Sequence, residues 1–179
     1  MIIYLSYLRF VVVATLLMVM AWQTLFSTTS TAISTNFIKR TSYISTLWPA
    51  GRVQSTGASV VVYQEPVYFE VMLPPRAARI SVNILAPKES ASFSVGVKQT
   101  ADWNYSFPIM TVNEQAGNNI YNLEVNEFSY VESNHALRFI ISAPKINSKN
   151  PVIINGLQVS IERKPFSWRS LINSLSTVL

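Results

Sequence analysis

The rhythm of apolar and polar positions divides this chain into an unbroken apolar run, a hydroxyl-rich stretch, a long series of alternations and a helical tail. The run is Phe10 to Phe26, seventeen residues without a charge. At about 1.5 Å per residue a helix of that length reaches roughly 25 Å, close to the thickness of a bilayer core. Ile2, Ile3, Leu5 and Leu8 add apolar length upstream, and the stem of Arg9 can snorkel to the interface. Trp22 near one end, with Tyr4 and Tyr7 near the other, suits the aromatic belts of the two membrane surfaces. Residues 1–30 are therefore predicted to be an N-terminal transmembrane anchor.

Arg9 and the free amino terminus place the N-terminus in the cytoplasm by the positive-inside rule, while Lys39 and Arg40 argue weakly the other way. Ser27 to Thr46 breaks the tie. It holds eleven Ser or Thr in twenty residues, the composition of an extracytoplasmic stem, here assigned to 31–57. A cleaved signal peptide is the rival, with small residues at Ser30, Thr31 and Ala32. The apolar run exceeds the usual h-region of about 7–15 residues, which favours an uncleaved anchor.

From Ser59 onward the period is two. Short apolar runs predict strands over Ser59–Tyr63 and Pro66–Met72. Ile80, Val82 and Ile84 alternate with Ser81 and Asn83; Phe93, Val95 and Val97 with Ser94, Gly96 and Lys98; Tyr121, Leu123 and Val125 with Asn122 and Glu124. Trp103, Tyr105 and Phe107 alternate with Asn104 and Ser106, and Leu137, Phe139 and Ile141 follow before the runs Val152–Ile154 and Leu157–Ile161. Between them lie turn residues, among them Pro74-Pro75, Gly117-Asn118-Asn119 and Asn150-Pro151. Asn155-Gly156 reads as a hairpin turn, or else as a glycine bulge in one long strand. The pattern predicts an all-β domain over 58–163, an antiparallel β-sandwich of about eight strands, with an open barrel as the lesser alternative.

The tail, 164–179, changes period again. Trp168, Leu171, Ile172, Leu175, Val178 and Leu179 fall on one face of a short amphipathic helix. Arg163, Lys164 and Arg169 flank its start, so it is expected to lie on lipid or to meet a partner helix through Trp168, Leu171, Ile172 and Leu175.

Composition narrows the function. The chain has 179 residues and no cysteine, which removes disulfides, thiolate nucleophiles and Cys-based metal sites. The formal charge is +5, yet Thr41 to Glu162 carries eight basic and nine acidic residues. The excess flanks the domain, where anionic lipid could attract it, and no basic stripe suggests nucleic acid. His135 is the only histidine and Asp102 the only aspartate, and no Ser–His–acid set surrounds them in sequence. Glu65 with Glu70, or Glu124, Glu127 and Glu132, could supply paired carboxylates, but Glu70 and Glu124 fall at exposed strand positions and read as solvated surface. No calcium-type cluster of acids is present. The chain is expected to be no enzyme and to hold no metal or cofactor.

The candidate ligand-binding residues are Trp103, Asn104 and Tyr105. Period two places Trp103, Tyr105 and Phe107 on one strand face. That face is either buried in the sandwich or a stacking platform for a sugar ring, with Asn104 fixing orientation. Asn104-Tyr105-Ser106 also matches a glycosylation sequon. Tyr63, Tyr68, Tyr121 and Tyr130 are further ring candidates.

Glu65-Pro-Val-Tyr-Phe-Glu70, Leu137-Arg-Phe-Ile-Ile-Ser-Ala-Pro144 and Ile153-Ile-Asn-Gly-Leu-Gln-Val-Ser-Ile161 resemble the jelly-roll modules of the galactose-binding-like, carbohydrate-binding-module-like kind, here on a bacterial membrane anchor. The resemblance covers about residues 58–163 and implies glycan binding at loops or on a concave sheet face. It leads to the expectation of a single-pass membrane protein whose β-domain, outside the cytoplasm, recognises glycan or cell-envelope material or serves a neighbouring membrane transport complex. The alternative is a structural subunit: Arg9-Phe10-Val-Val-Val-Ala-Thr-Leu-Leu17 loosely resembles a pilin start, without the small residue before the cleavage point or the helix glutamate.

Overall fold

The computed structural model describes residues 2–26, 29–126, 128 and 130–165, with the side chains of the N-terminal helix described from Phe10 to Gln23. That helix, α1 (Ile2–Phe26), runs for 25 residues. Its one mid-helix hydroxyl is satisfied internally, Thr15 Oγ1 donating to the Val11 carbonyl at 2.8 Å. Among the described residues no helix is long and apolar enough to cross a membrane. The amphipathic helix expected over Trp168, Leu171, Ile172 and Leu175 lies outside the described residues.

Residues 30–163 form a compact unit of their own. Its strands are β1 (Thr29–Thr35), β2 (Val53–Thr56), β3 (Ser59–Val62), β4 (Val67–Met72), β5 (Ala77–Pro87), β6 (Ser94–Lys98), β7 (Tyr105–Ser106), β8 (Thr111–Gln115), β9 (Asn118–Val125), β10 (Ala136–Ser142), β11 (Val152–Ile154) and β12 (Gly156–Arg163). A five-stranded sheet in the order β1-β12-β5-β9-β8 and a four-stranded sheet in the order β4-β10-β6-β7 form the two walls of a β-sandwich, and a three-stranded sheet β11-β3-β2 extends it.

Alternation builds the core as expected. In the larger sheet β5 lies between β12 and β9 in a register that aligns inward rows Val159–Val82–Leu123 and Ile161–Ile80–Val125. In the smaller, β10 lies between β4 and β6, aligning Phe69–Phe139–Val97 and Val67–Ile141–Val95. All twelve of these side chains belong to one buried cluster. Phe69 and Phe139 stack with ring centroids 4.9 Å apart, and Phe37 meets Phe69 edge-on at 5.2 Å.

The structure departs from the sequence reading in several places. The segment 31–57, read as a stem, is built into the sandwich: it supplies β1 and β2 and buries Phe37, Ile44 and Leu47. Ile44 bridges to Val71 and Trp48 to Tyr68, which ties the segment to the edge of β4. Asn155-Gly156 is not a hairpin. β11 pairs with β3 and β12 with β5, and the Asn155 amide donates to the Leu85 carbonyl, so the chain passes from one sheet to the next. The hairpin turns lie elsewhere. Ala116 and Gly117, at φ 49° and 81°, join β8 to β9 with the two positive φ values of a type I′ turn. The aromatic strand expected over Trp103–Phe107 shrinks to Tyr105 and Ser106.

Phe139→Ala would remove a ring with no exposed surface, and the expected cost is about 3–5 kcal/mol in a urea unfolding experiment. Val112→Ala, on the outer strand β8 and 52% exposed, should change stability by less than about 0.5 kcal/mol.

Candidate functional site

The period-two rule that sends Phe69, Phe139 and Val97 inward sends their neighbours outward. Glu70 on β4 is paired in register with Arg138 on β10. Beside the Phe139–Val97 pair, Arg138 and Lys98 therefore lie side by side, and Lys98 is paired with Tyr105 on β7. The register thus lines up Glu70, Arg138, Lys98 and Tyr105 across the outer face of the four-stranded sheet. Tyr68 and Ile140 form the next row, opposite Gly96.

The charges in this row are paired. Arg138 donates from Nε and Nη2 to Glu70 Oε1 at 3.0 and 2.7 Å, and its Nη1 lies 3.3 Å from Glu132 Oε1. Lys98 Nζ donates to the same Glu132 oxygen at 2.8 Å, and the Tyr130 hydroxyl donates to Glu132 Oε2 at 3.4 Å. Within this row, among the described residues, the two cations face two carboxylates. Lys98 is only 5% exposed, although its strand position points outward. Its ammonium lies 4.9 Å from the Tyr130 ring centroid and 5.7 Å from that of Trp103.

Rings cover the ion pairs. The Arg138 guanidinium carbon lies 5.2 Å from the Trp48 ring and 5.8 Å from Trp103. Tyr68 touches Trp48 at 4.6 Å, Trp103 at 5.6 Å and Tyr105 at 6.0 Å between centroids. Phe107 lies over Gly96, where an added Cβ would come within 2.9 Å of its ring and 2.7 Å of Ile140. Only glycine leaves room for that ring.

Of the predicted site residues, Trp103 and Tyr105 join this cluster, through Tyr68, and Asn104 lies exposed between them. The face is not core: Trp103 is 66% exposed and Phe107 49%. Asn104 makes no side-chain hydrogen bond among the described residues. The Tyr105 hydroxyl oxygen is buried without a hydrogen-bond partner, and burial raises its pKa from 10.0 to about 12, with Tyr68 adding to the shift and Arg138 offsetting part of it.

Arg138 is held protonated above the ordinary arginine range. Burial opposes its charge, but the hydrogen bonds to Glu70 and the nearby Glu132 carboxylate outweigh that. The Glu132 carboxyl titrates below its ordinary value, held down by the Lys98 hydrogen bond against burial, with Arg138 and Tyr130 assisting.

The other candidates lie apart from this face. Tyr63 bonds Gln54, and Tyr121 packs on Phe93 within the core. Glu124 pairs with Arg79 on exposed surface, and Glu65 accepts from the Ser142 hydroxyl and the Ala143 amide. His135 sits in a loop at φ 59°, its amide donating to the Glu132 carbonyl. Among the described residues no three His, Asp or Glu side chains converge as metal ligands do.

Trp48, Lys98 and Arg138 were not singled out from sequence, and Glu70 and Glu132 were weighed there only as paired carboxylates, Glu70 as solvated surface, whereas both are largely buried in ion pairs. A signal existed for three of them: Glu70, Lys98 and Arg138 each occupy a polar position between apolar neighbours. Their convergence depends on which strands pair. No family model matches this chain, and no curated sequence matches it.

Glu132→Gln should destabilise the protein by about 2 kcal/mol at pH 7, because Lys98 loses its carboxylate in a nearly dry site. The folded-state pKa of Glu132 lies below its ordinary 4.5. Its contribution is thus fully present above that value and is lost as pH falls through the folded pKa. Unfolding free energies of parent and variant should converge in that acid window; a gap independent of pH would mean that the carboxylate charge is not its source.

Proposed function

We propose that this protein is a non-enzymatic binding module, held by α1 to a membrane with the sandwich outside the cytoplasm, whose four-stranded sheet presents Trp103 to a sugar ring. The observation that carries the reading is Trp103 itself: a large indole, two-thirds exposed, held in place by Tyr68 and by contact with Lys98 and Arg138. An unsupported surface tryptophan gains nothing from such a setting. A supported one offers a rigid apolar surface that costs little entropy to bind.

The chemistry of the face favours an uncharged ring. Its cations are neutralised by Glu70 and Glu132, so it exerts no net pull on an anion. Asn104, exposed beside Trp103, supplies a donor and an acceptor suited to a ring hydroxyl. The jelly-roll likeness adds to this, since the segments that carry it include β4 and β10, adjacent strands of the same sheet.

The membrane reading rests on α1. Its described side chains from Phe10 to Gln23 carry no charge and are exposed on every side of the helix, including Phe10 at 72%, Leu17 at 62% and Met18 at 73%. An apolar helix without a polar stripe belongs in lipid or within a protein bundle. Its backbone stays helical over 25 residues.

Two measurements test these readings. On a glycan array, the full chain in detergent should bind neutral glycans, and Trp103→Ala should lose at least about tenfold, one stacked ring's worth. Because the indole is exposed, the variant should keep the parent's melting temperature; unchanged binding by the folded variant would remove the platform. Expressed in bacteria, the parent should stay with membranes through an alkaline wash, and Leu17→Arg, at about 3 kcal/mol for a mid-span charge, should weaken that retention. A parent that washes off would defeat the anchor.

A further inference from the structure

The opposite wall of the sandwich carries a second concavity. On the outer face of the five-stranded sheet, an open cleft of about 610 Å³ lies beside β1, β12, β5 and β9, a volume in the range of small-ligand sites. Gly156 forms part of its floor, opposite Leu85 in the β12–β5 register. A Cβ added at Gly156 would meet only the Thr35 carbonyl oxygen at 3.9 Å and Leu85 Cβ at 4.0 Å. The missing side chain is what keeps the floor open, since neither backbone conformation nor crowding requires glycine there.

Amides line the walls. Asn83 and Gln158 face each other across the same strand pair, on the outward side two residues along from Leu85 and Gly156. Neither makes a side-chain hydrogen bond among the described residues, so two carbonyl acceptors and two NH₂ donors are presented together. Asn155 is fixed differently: its Oδ1 accepts from Ser59 Oγ at 2.8 Å and its Nδ2 donates to Asn118 Oδ1 at 3.2 Å. Among the described residues of the lining, Lys39 is the only charged one, and no carboxylate is among them.

From this geometry we infer a second ligand site, separate from the Trp103 face, that takes an acidic sugar: a hydroxylated ring seated on Gly156 and Leu85, hydrogen-bonded by Asn83 and Gln158, with its carboxylate toward Lys39. Each feature constrains the ligand. Paired amides need partners that both donate and accept, as adjacent hydroxyls do. Leu85 and Ile120 supply an apolar floor that a ring's C–H face can cover. The uncompensated ammonium selects a negative group, in contrast to the neutral Trp103 face. The inference does not rest on the function proposed for Trp103.

The test is calorimetric titration of the full chain in detergent with an oligogalacturonate and with the neutral galactose oligomer of the same length. The acidic oligomer should bind about tenfold tighter, and Lys39→Met should erase that preference while sparing the neutral sugar. Gly156→Leu should fill the cleft and abolish binding of both at an unchanged melting temperature. Should that variant unfold early, Asn83→Ala with Gln158→Ala serves in its place, with a loss of at least tenfold expected. Binding that survives the folded cleft variants, or that Trp103→Ala abolishes while Gly156→Leu retains it, overturns the site. Absence of binding by either oligomer also overturns it, and equal affinity for the two oligomers overturns the acidic class.

Discussion

The position of β10 between β4 and β6 is the constraint on which both sides of the smaller sheet depend. One register stacks Phe139 on Phe69 inside the sandwich and sets Arg138 against Glu70 outside it. Since side chains alternate along a strand, a slip of one residue would turn Arg138 into the core and Phe139 into water. The cost of burying an unpaired guanidinium and the loss of the Phe–Phe stack act together against that slip. The chain has no cysteine to fix strand positions covalently, so register is held by this double specification.

The outer row works on a similar principle. Lys98 could be taken for a surface lysine, but it is nearly as buried as the core, sealed by Trp103, Tyr130 and Glu132. A charge so placed must be paired, and the pairing in turn fixes the rings above it. Trp103 is exposed yet supported. The face combines features that normally separate: the ordered contacts of an interior and the accessibility of a surface.

Much of the fold was legible because alternation is a direct record of a two-faced sheet. Ile80, Val82 and Ile84, or Leu137, Phe139 and Ile141, announce both a strand and its inward side. β1 and β2 were illegible for the same reason inverted: Thr29–Thr35 and Val53–Thr56 carry few apolar side chains, so nothing in their pattern separates a strand from a stem. β8 is exposed along its whole length and leaves no inward signal. Asn155-Gly156 shows where local chemistry is overridden. Its residues favour a reversal, but β3 and β5 are the partners that bury Ile154 and Leu157, so the chain runs on between sheets. For the site, the sequence could place Trp103 and Tyr105 on one face. It could not say that Tyr68, Arg138 and Trp48 would meet them, because those contacts exist only through strand pairing.

A sandwich that closes a core between two sheets leaves each outer face free to diverge, and here the divergence is one of charge and surface. The four-stranded sheet spends its outward positions on rings and balanced ion pairs, which leaves a neutral, apolar relief around Trp103. The five-stranded sheet places amides at Asn83 and Gln158, and at Gly156 it places nothing, which leaves a hollow bordered by one ammonium. Both arrangements arise from the same periodicity: the residues that cannot help the core are those that face outward. The tertiary detail that separates the two faces is small. At Gly96 glycine admits Phe107 and the surface is filled; at Gly156 no ring arrives and the surface stays open. The same residue at equivalent outward positions thus gives a covered face on one sheet and a cleft on the other, according to what the neighbouring strands bring to it.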